Sequence, residues 1–137
     1  MSTIGYTSGQ IEQKQRLLDL VNHAVLALQA DALGMRETLH LDEPELQESR
    51  SVACRFATDV ERALEGQSAD PLIHALVLHV AATAKPSQDW IEDLRALRNA
   101  LVHIEPVPTT RLAVLSELVR LFDREFTEDL FRMYGRR

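Results

Sequence analysis

The chain has 137 residues, the size of one domain that can bury its own core without disulfides or metal. Its formal net charge of −6 excludes a general electrostatic affinity for nucleic acid and confines any such contact to a local basic site. Hydrophobic residues make up 45% and aromatic residues only 5%; the apolar mass is Leu, Ala and Val, a balance that favours helix-on-helix packing over sheets.

In chain order, Thr7-Ser8-Gly9-Gln10 offers a cap, and Ile11, Leu17, Leu18, Val21, Ala24, Val25 and Leu28 follow at helical spacing until Gly34. Asp42-Glu43-Pro44-Glu45 starts a second helix, with a capping acid, a first-turn proline and negative charge at the positive end of the dipole; Gly66 closes it after about Glu65. Asp70-Pro71 opens a third, apolar almost all round from Leu72 to Ala81, as a buried central helix would be, and Pro86 ends it. Ser87 caps a fourth helix that runs to His103 or Ile104. After Pro106-Val107-Pro108, Thr109 or Thr110 caps a fifth, with Gly135 near its end. No segment alternates in the manner of a strand. The expected architecture is all-α, a bundle of four to five helices in a single domain spanning 1–137, with residues 1–7 and 135–137 fraying.

The longest apolar run, Leu72 to Ala84, is interrupted by His74 and His79 and is shorter than the roughly 20 residues of a membrane span. The first residues lack the basic start and apolar block of a secretory signal, and Cys54 is alone, so a cytoplasmic protein is expected, with Cys54 as a small core residue. His74 and His79, five apart, do not share a helix face as a metal pair would, and are read as satisfied or half-buried. His40 with Asp42 and Glu43 reads as loop and cap chemistry in preference to a cation site. No cofactor-binding motif is present.

The most informative stretch lies on the fourth helix. At about 100° per residue, Trp90, Leu94, Leu97, Leu101 and Ile104 form its core stripe, whereas Glu92, Arg95, Asn99 and His103 share the opposite face. Arg98 lies to the side, flanked by Ile91 and Val102, with a side chain long enough to swing toward the same cleft. Cleavage of RNA at a 2′-hydroxyl needs a base, a donor for the phosphorane oxygens and a group that orients them. A histidine exchanges protons near neutrality, an arginine is a permanent phosphate clamp, and an asparagine amide can bond either imidazole or phosphate.

Leu94-Arg95-Ala96-Leu97-Arg98-Asn99-Ala100-Leu101-Val102-His103 resembles the signature of the HEPN superfamily, an Arg, four to six residues and a His, with a polar residue directly after the Arg. The resemblance in residues covers this helix alone; elsewhere it is one of length and helix pattern. It implies a short helical bundle, usually dimeric and often a metal-independent endoribonuclease of toxin-antitoxin, abortive-infection or CRISPR systems. Carried over, Arg98 and His103 are the catalytic pair and Asn99 supports them; Arg95 and Glu92 belong to the supporting polar face by their place on the helix. The implied partners are RNA, a second copy of the chain and a cognate antitoxin or regulatory protein. Some members carry a Tyr two residues after the His, the site of AMP addition by a paired nucleotidyltransferase; Glu105 stands there, which puts that control in doubt.

Arg16 and His23 also satisfy the looser spacing, but without an Asn after the Arg. The residues leave open a blander reading, in which Arg and His near a helix C-terminus simply offset its dipole and Glu92 and Arg95 form a surface pair. Its functional form is a non-catalytic helical module that dimerises or binds a partner or nucleotide. Phe122, Phe126 and Phe131, with Met133 and Tyr134, are expected in the core or, with Ile91 and Val102, at a subunit contact. Arg136-Arg137 is read as an exposed tail.

Overall fold

Helices form where apolar spacing and end signals agree. The computed structural model of the protein describes residues 8–68, 70, 71, 73, 74, 77, 88–103, 107 and 109–134. Four helices lie in these ranges, α1 (Ser8–Ala32), α2 (Glu43–Leu64), α3 (Gln88–Val102) and α4 (Thr109–Tyr134), and no strand occurs among the described residues. The all-α expectation is met. The helix expected over 70–86 lies largely outside them. Within it, Ile73 and Val77 are helical and buried, and the Asp70 carboxylate accepts from the Ile73 N–H at 3.4 Å.

The end signals act as expected of them. Gly34 adopts φ 75°, and the N–H groups of Gly34 and Met35 donate back to the carbonyls of Asp31 and Ala30, a left-handed closure that satisfies the last turn of α1. Gly66 repeats it at the end of α2, with its own N–H donating to Ala63 and that of Gln67 to Arg62. Asp42 caps α2 by accepting from the Glu45 N–H at 2.9 Å. Between α1 and α2, His40 takes φ 54°, uncommon for a residue with a Cβ, while Arg36 braces the turn through the Leu41 carbonyl at 3.2 Å and Glu43 at 2.9 Å. α4 is already helical at Thr109, the first of the two threonines expected to cap it.

α2 packs on both α1 and α3, and α4 completes the ring by touching α1 and α3. The core between them is built from Val21, Val25 and Leu28 of α1, Ala53, Phe56 and Val60 of α2, Leu94, Leu97 and Leu101 of α3, and Leu112, Leu115, Leu118 and Phe122 of α4. Phe56 meets Phe122 edge to face with ring centroids 5.9 Å apart, which fixes α2 against α4. The stripe expected of α3 is thus confirmed at Leu94, Leu97 and Leu101; the side chains of Trp90 and Ile104, like those of Phe126, Phe131, Met133 and Tyr134, lie outside the described residues, as do Glu105 and Arg136-Arg137. Among the described residues, no helix is long and apolar enough to cross a membrane.

Among the described residues, two charged side chains enter this interior. Lys14 is 2% exposed and meets Asp123 of α4 at 2.9 Å; Glu61 of α2 is 5% exposed. Lys14 interrupts the apolar stripe of α1, and Glu61 stands at the margin of that of α2.

Candidate functional site

Glu61 is the centre of the polar cluster beside α3. A carboxylate taken out of water needs charged donors close by, and α3 supplies two. Arg95 donates through Nε to Glu61 Oε2 at 2.7 Å, and Arg98 through Nη1 to Glu61 Oε1 at 2.6 Å. Arg95 also reaches Glu65, one turn along α2, at 2.7 Å. These bonds, that to Glu61 first and then that to Glu65, raise the Arg95 pKa further above its ordinary value, so its charge is permanent. The four formal charges cancel, and they lock α2 to α3.

The expected surface pair of Glu92 with Arg95 is therefore corrected. Arg95 turns across the helix interface because Glu61, enclosed by the core, needs a donor more than exposed Glu92 does. Arg98 likewise points to α2 in place of the cleft shared with His103, drawn by the same carboxylate. Its side chain stays 31% exposed, and its other N–H groups make no hydrogen bond among the described residues.

Asn99 and His103 occupy the exposed face as their spacing requires. His103 is the first residue past α3, and its backbone N–H donates to the Asn99 carbonyl at 3.1 Å, closing the final turn. Its imidazole has no hydrogen bond or ion pair among the described residues. Five positions on a helix separate Arg98 and His103 by about 140° around the axis, so within one chain they leave α3 in different directions. The structure brings Arg95 and Arg98 together on Glu61, and places Asn99 and His103 together on the solvent side.

Other sequence readings resolve more simply. Cys54 meets the expectation of a core residue in part: it is half-buried and packs against the core, but it also lines a groove between α2 and the end of α3, because its place on α2 falls at the edge of the buried stripe. His74 is exposed, so the half-burial expected as one of its alternatives is not met; His79 lies outside the described residues. Near His40, Glu43 is engaged by Arg36 and Arg50, and no group of three His, Cys, Asp or Glu poised for a metal occurs among the described residues. Arg16 is an exposed partner of Glu12.

Glu61 and Lys14 were invisible to a reading that followed apolar residues alone. Lys14 had a clear signal: with Leu18, Val21 and Val25 it keeps the spacing of the α1 stripe, so a lysine stands where that helix needs an apolar side chain. The signal at Glu61 is weaker, an acid four residues after buried Ala57 at the margin of a stripe. Neither a protein-family model, nor a curated protein, nor a solved structure matches the chain.

Proposed function

We propose that the protein is a HEPN-like, metal-independent endoribonuclease acting in the cytoplasm within a bacterial toxin-antitoxin or antiviral-defence module, with a composite site formed by two copies of the chain. The observation that carries this reading is the division of labour along α3: Arg98 is half-exposed and held by a buried carboxylate, while His103, just past the end of the helix, has an imidazole unengaged among the described residues. A guanidinium anchored on one side and open on the other is a preorganised anion donor. Because Arg98 and His103 diverge within one chain, the second copy is what lets both address one phosphate. Exposed Val102, 59% accessible beside His103, supplies apolar surface for such a contact.

In this mechanism a neutral His103 accepts the 2′-hydroxyl proton as the 2′-oxygen forms its bond to phosphorus. Arg98 stabilises the phosphorane oxygens, and Asn99 orients imidazole or phosphate. The bond from phosphorus to the 5′-oxygen then breaks, and that oxygen takes a proton from a protonated His103 of the second copy. The products are a 2′,3′-cyclic phosphate and a 5′-hydroxyl. Arg95, committed to Glu61 and Glu65, acts by holding α2 and α3 in register, with Glu92 as a solvated neighbour.

Expression of the wild-type chain should arrest growth, and the purified dimer should cut RNA in the presence of a chelator. Arg98→Ala and His103→Ala should each reduce cleavage by about 100-fold or more, the usual effect of losing one acid-base or electrostatic group, while leaving helicity and dimerisation intact. One observation favours the second reading, a non-catalytic helical module that dimerises or binds a protein or nucleotide: the Arg98 bond to Glu61 would serve equally as a structural lock between α2 and α3. Equal growth of all three strains, with no cyclic phosphate formed, selects that module.

A further inference from the structure

A groove of about 550 Å³ runs between α2 and the end of α3, within the size range of small-ligand sites and wide enough for a nucleotide-sized group. Arg50, Ser51, Cys54 and Arg55 line it from α2, and Leu101 and Val102 from α3, immediately ahead of His103 in the chain. Its charge runs against that of the molecule. In a protein of net charge −6, two guanidiniums and no carboxylate line this groove among the described residues.

The two arginines differ. Arg50 is 19% exposed and shared with Glu43 at 3.4 Å and Asp31 at 3.9 Å, so part of its charge is answered within the protein. Arg55 is exposed and forms no hydrogen bond or ion pair among the described residues, although Asp59, one turn further along α2, feels its charge. Opposite them Leu101 is buried and Val102 is open to solvent, an apolar wall across from a cationic edge. A cationic edge facing an apolar wall suits a single nucleic-acid strand, whose phosphates and base faces need those two surfaces. An acidic peptide would use the cationic edge and leave the apolar wall without purpose.

We propose that this groove seats the RNA strand flanking the cut, with a phosphate on Arg55, a base against Leu101 and Val102, and the Ser51 hydroxyl within reach of the sugar. The assignment rests on the endoribonuclease reading for its ligand, and it places the strand so that it leads directly to His103. Arg50, held by its acidic neighbours, forms the fixed end of the groove.

The test uses the full-length protein and a short, unstructured single-stranded RNA carrying a fluorophore, with His103→Ala in every binding sample to prevent cutting. Arg55→Glu should weaken binding by about tenfold at moderate salt and lower the salt dependence by about one phosphate contact. Arg55→Lys should restore most of the affinity. Cys54 is the chain's only cysteine, so its rate of reaction with a thiol reagent reports directly on the groove. Saturating RNA should slow that reaction several-fold, and an acidic peptide should not. Unchanged affinity in Arg55→Glu, equal Cys54 reactivity with and without bound RNA, or protection by the peptide in place of RNA would each overturn the assignment. The two proposals fail differently. Protection of Cys54 by RNA that the His103-containing protein never cuts removes the catalytic reading and keeps the groove. Cleavage with Cys54 unprotected does the reverse.

Discussion

Among the described residues the interior holds two charged intrusions, and they are built in opposite senses. At the seam of α1 and α4 the buried member is the cation Lys14, and the member facing solvent is Asp123, 55% exposed. At the seam of α2 and α3 the buried member is the anion Glu61, and the outward members are Arg95 and Arg98. Each seam is locked by opposite charges, but an approaching solute meets a carboxylate at the first and guanidiniums at the second. Burial of a charge therefore does more here than hold helices together: the sign of the inner partner decides which solutes the outer partner attracts.

The comparison is tested most severely by removing the outward partners of each buried charge. Arg95→Ala with Arg98→Ala leaves Glu61 enclosed without a charged donor, and should cause the largest fall in denaturation midpoint of any change at either seam. Adding Glu61→Leu should recover much of the loss, because the stranded charge is then gone. If the triple variant is no more stable than the double, the cost lies in lost packing and not in the buried carboxylate. At the other seam, Asp123→Ala should cost about 2 kcal/mol, whereas Lys14→Met should be nearly neutral, since an apolar side chain can replace a buried ion at little cost. Chemical denaturation of the four variants measures all of these effects.

A smaller effect separates α2's two flanks by pH. Burial, and then the charge of Asp70, raise the Asp59 pKa above its ordinary 3.8, with Arg62 and Arg55 opposing. The folded protein thus binds this proton more tightly than the unfolded chain does. The associated stability is complete below 3.8 and is lost as pH rises through the folded value. Asp59→Asn should accordingly be more stable than wild type at neutral pH and converge with it in acid. A constant difference across that window, seen by thermal melts at stepped pH, would contradict the cause assigned to the shift. Smallest of all, His40→Gly should stabilise by up to about 1 kcal/mol by relieving the left-handed backbone at φ 54°, a change remote from both seams.

The helices were legible because their signals are local. Asp42, Gly34 and Gly66 act on their own turns, and Leu94, Leu97 and Leu101 share a face whatever packs upon them. The candidate site was legible only in part. Spacing placed Asn99 and His103 on one exposed face, and the structure agrees. It could not show that Glu61, 37 positions before Arg98, draws that side chain aside, because a helical wheel identifies a face and not the neighbour that will cover it. Cys54 was legible in part for a related reason: hydrophobic character brings it against the core, but the edge of the α2 stripe borders a groove. Lys14 is the instructive exception, a tertiary feature visible in the primary pattern as soon as an interrupted stripe is taken seriously.

The shared carboxylate at Glu61 also makes the setting of the α3 guanidiniums a property of a different helix. A slide of α2 along its neighbour would carry the anchor with it and re-aim Arg98 without altering any residue of the Arg-Asn-x-x-x-His run. Phe56, which pins α2 to Phe122, therefore acts as a distant set-screw for that aim. Substitutions among the bulky side chains around it should appear as altered function in chains whose signature helix is letter-perfect.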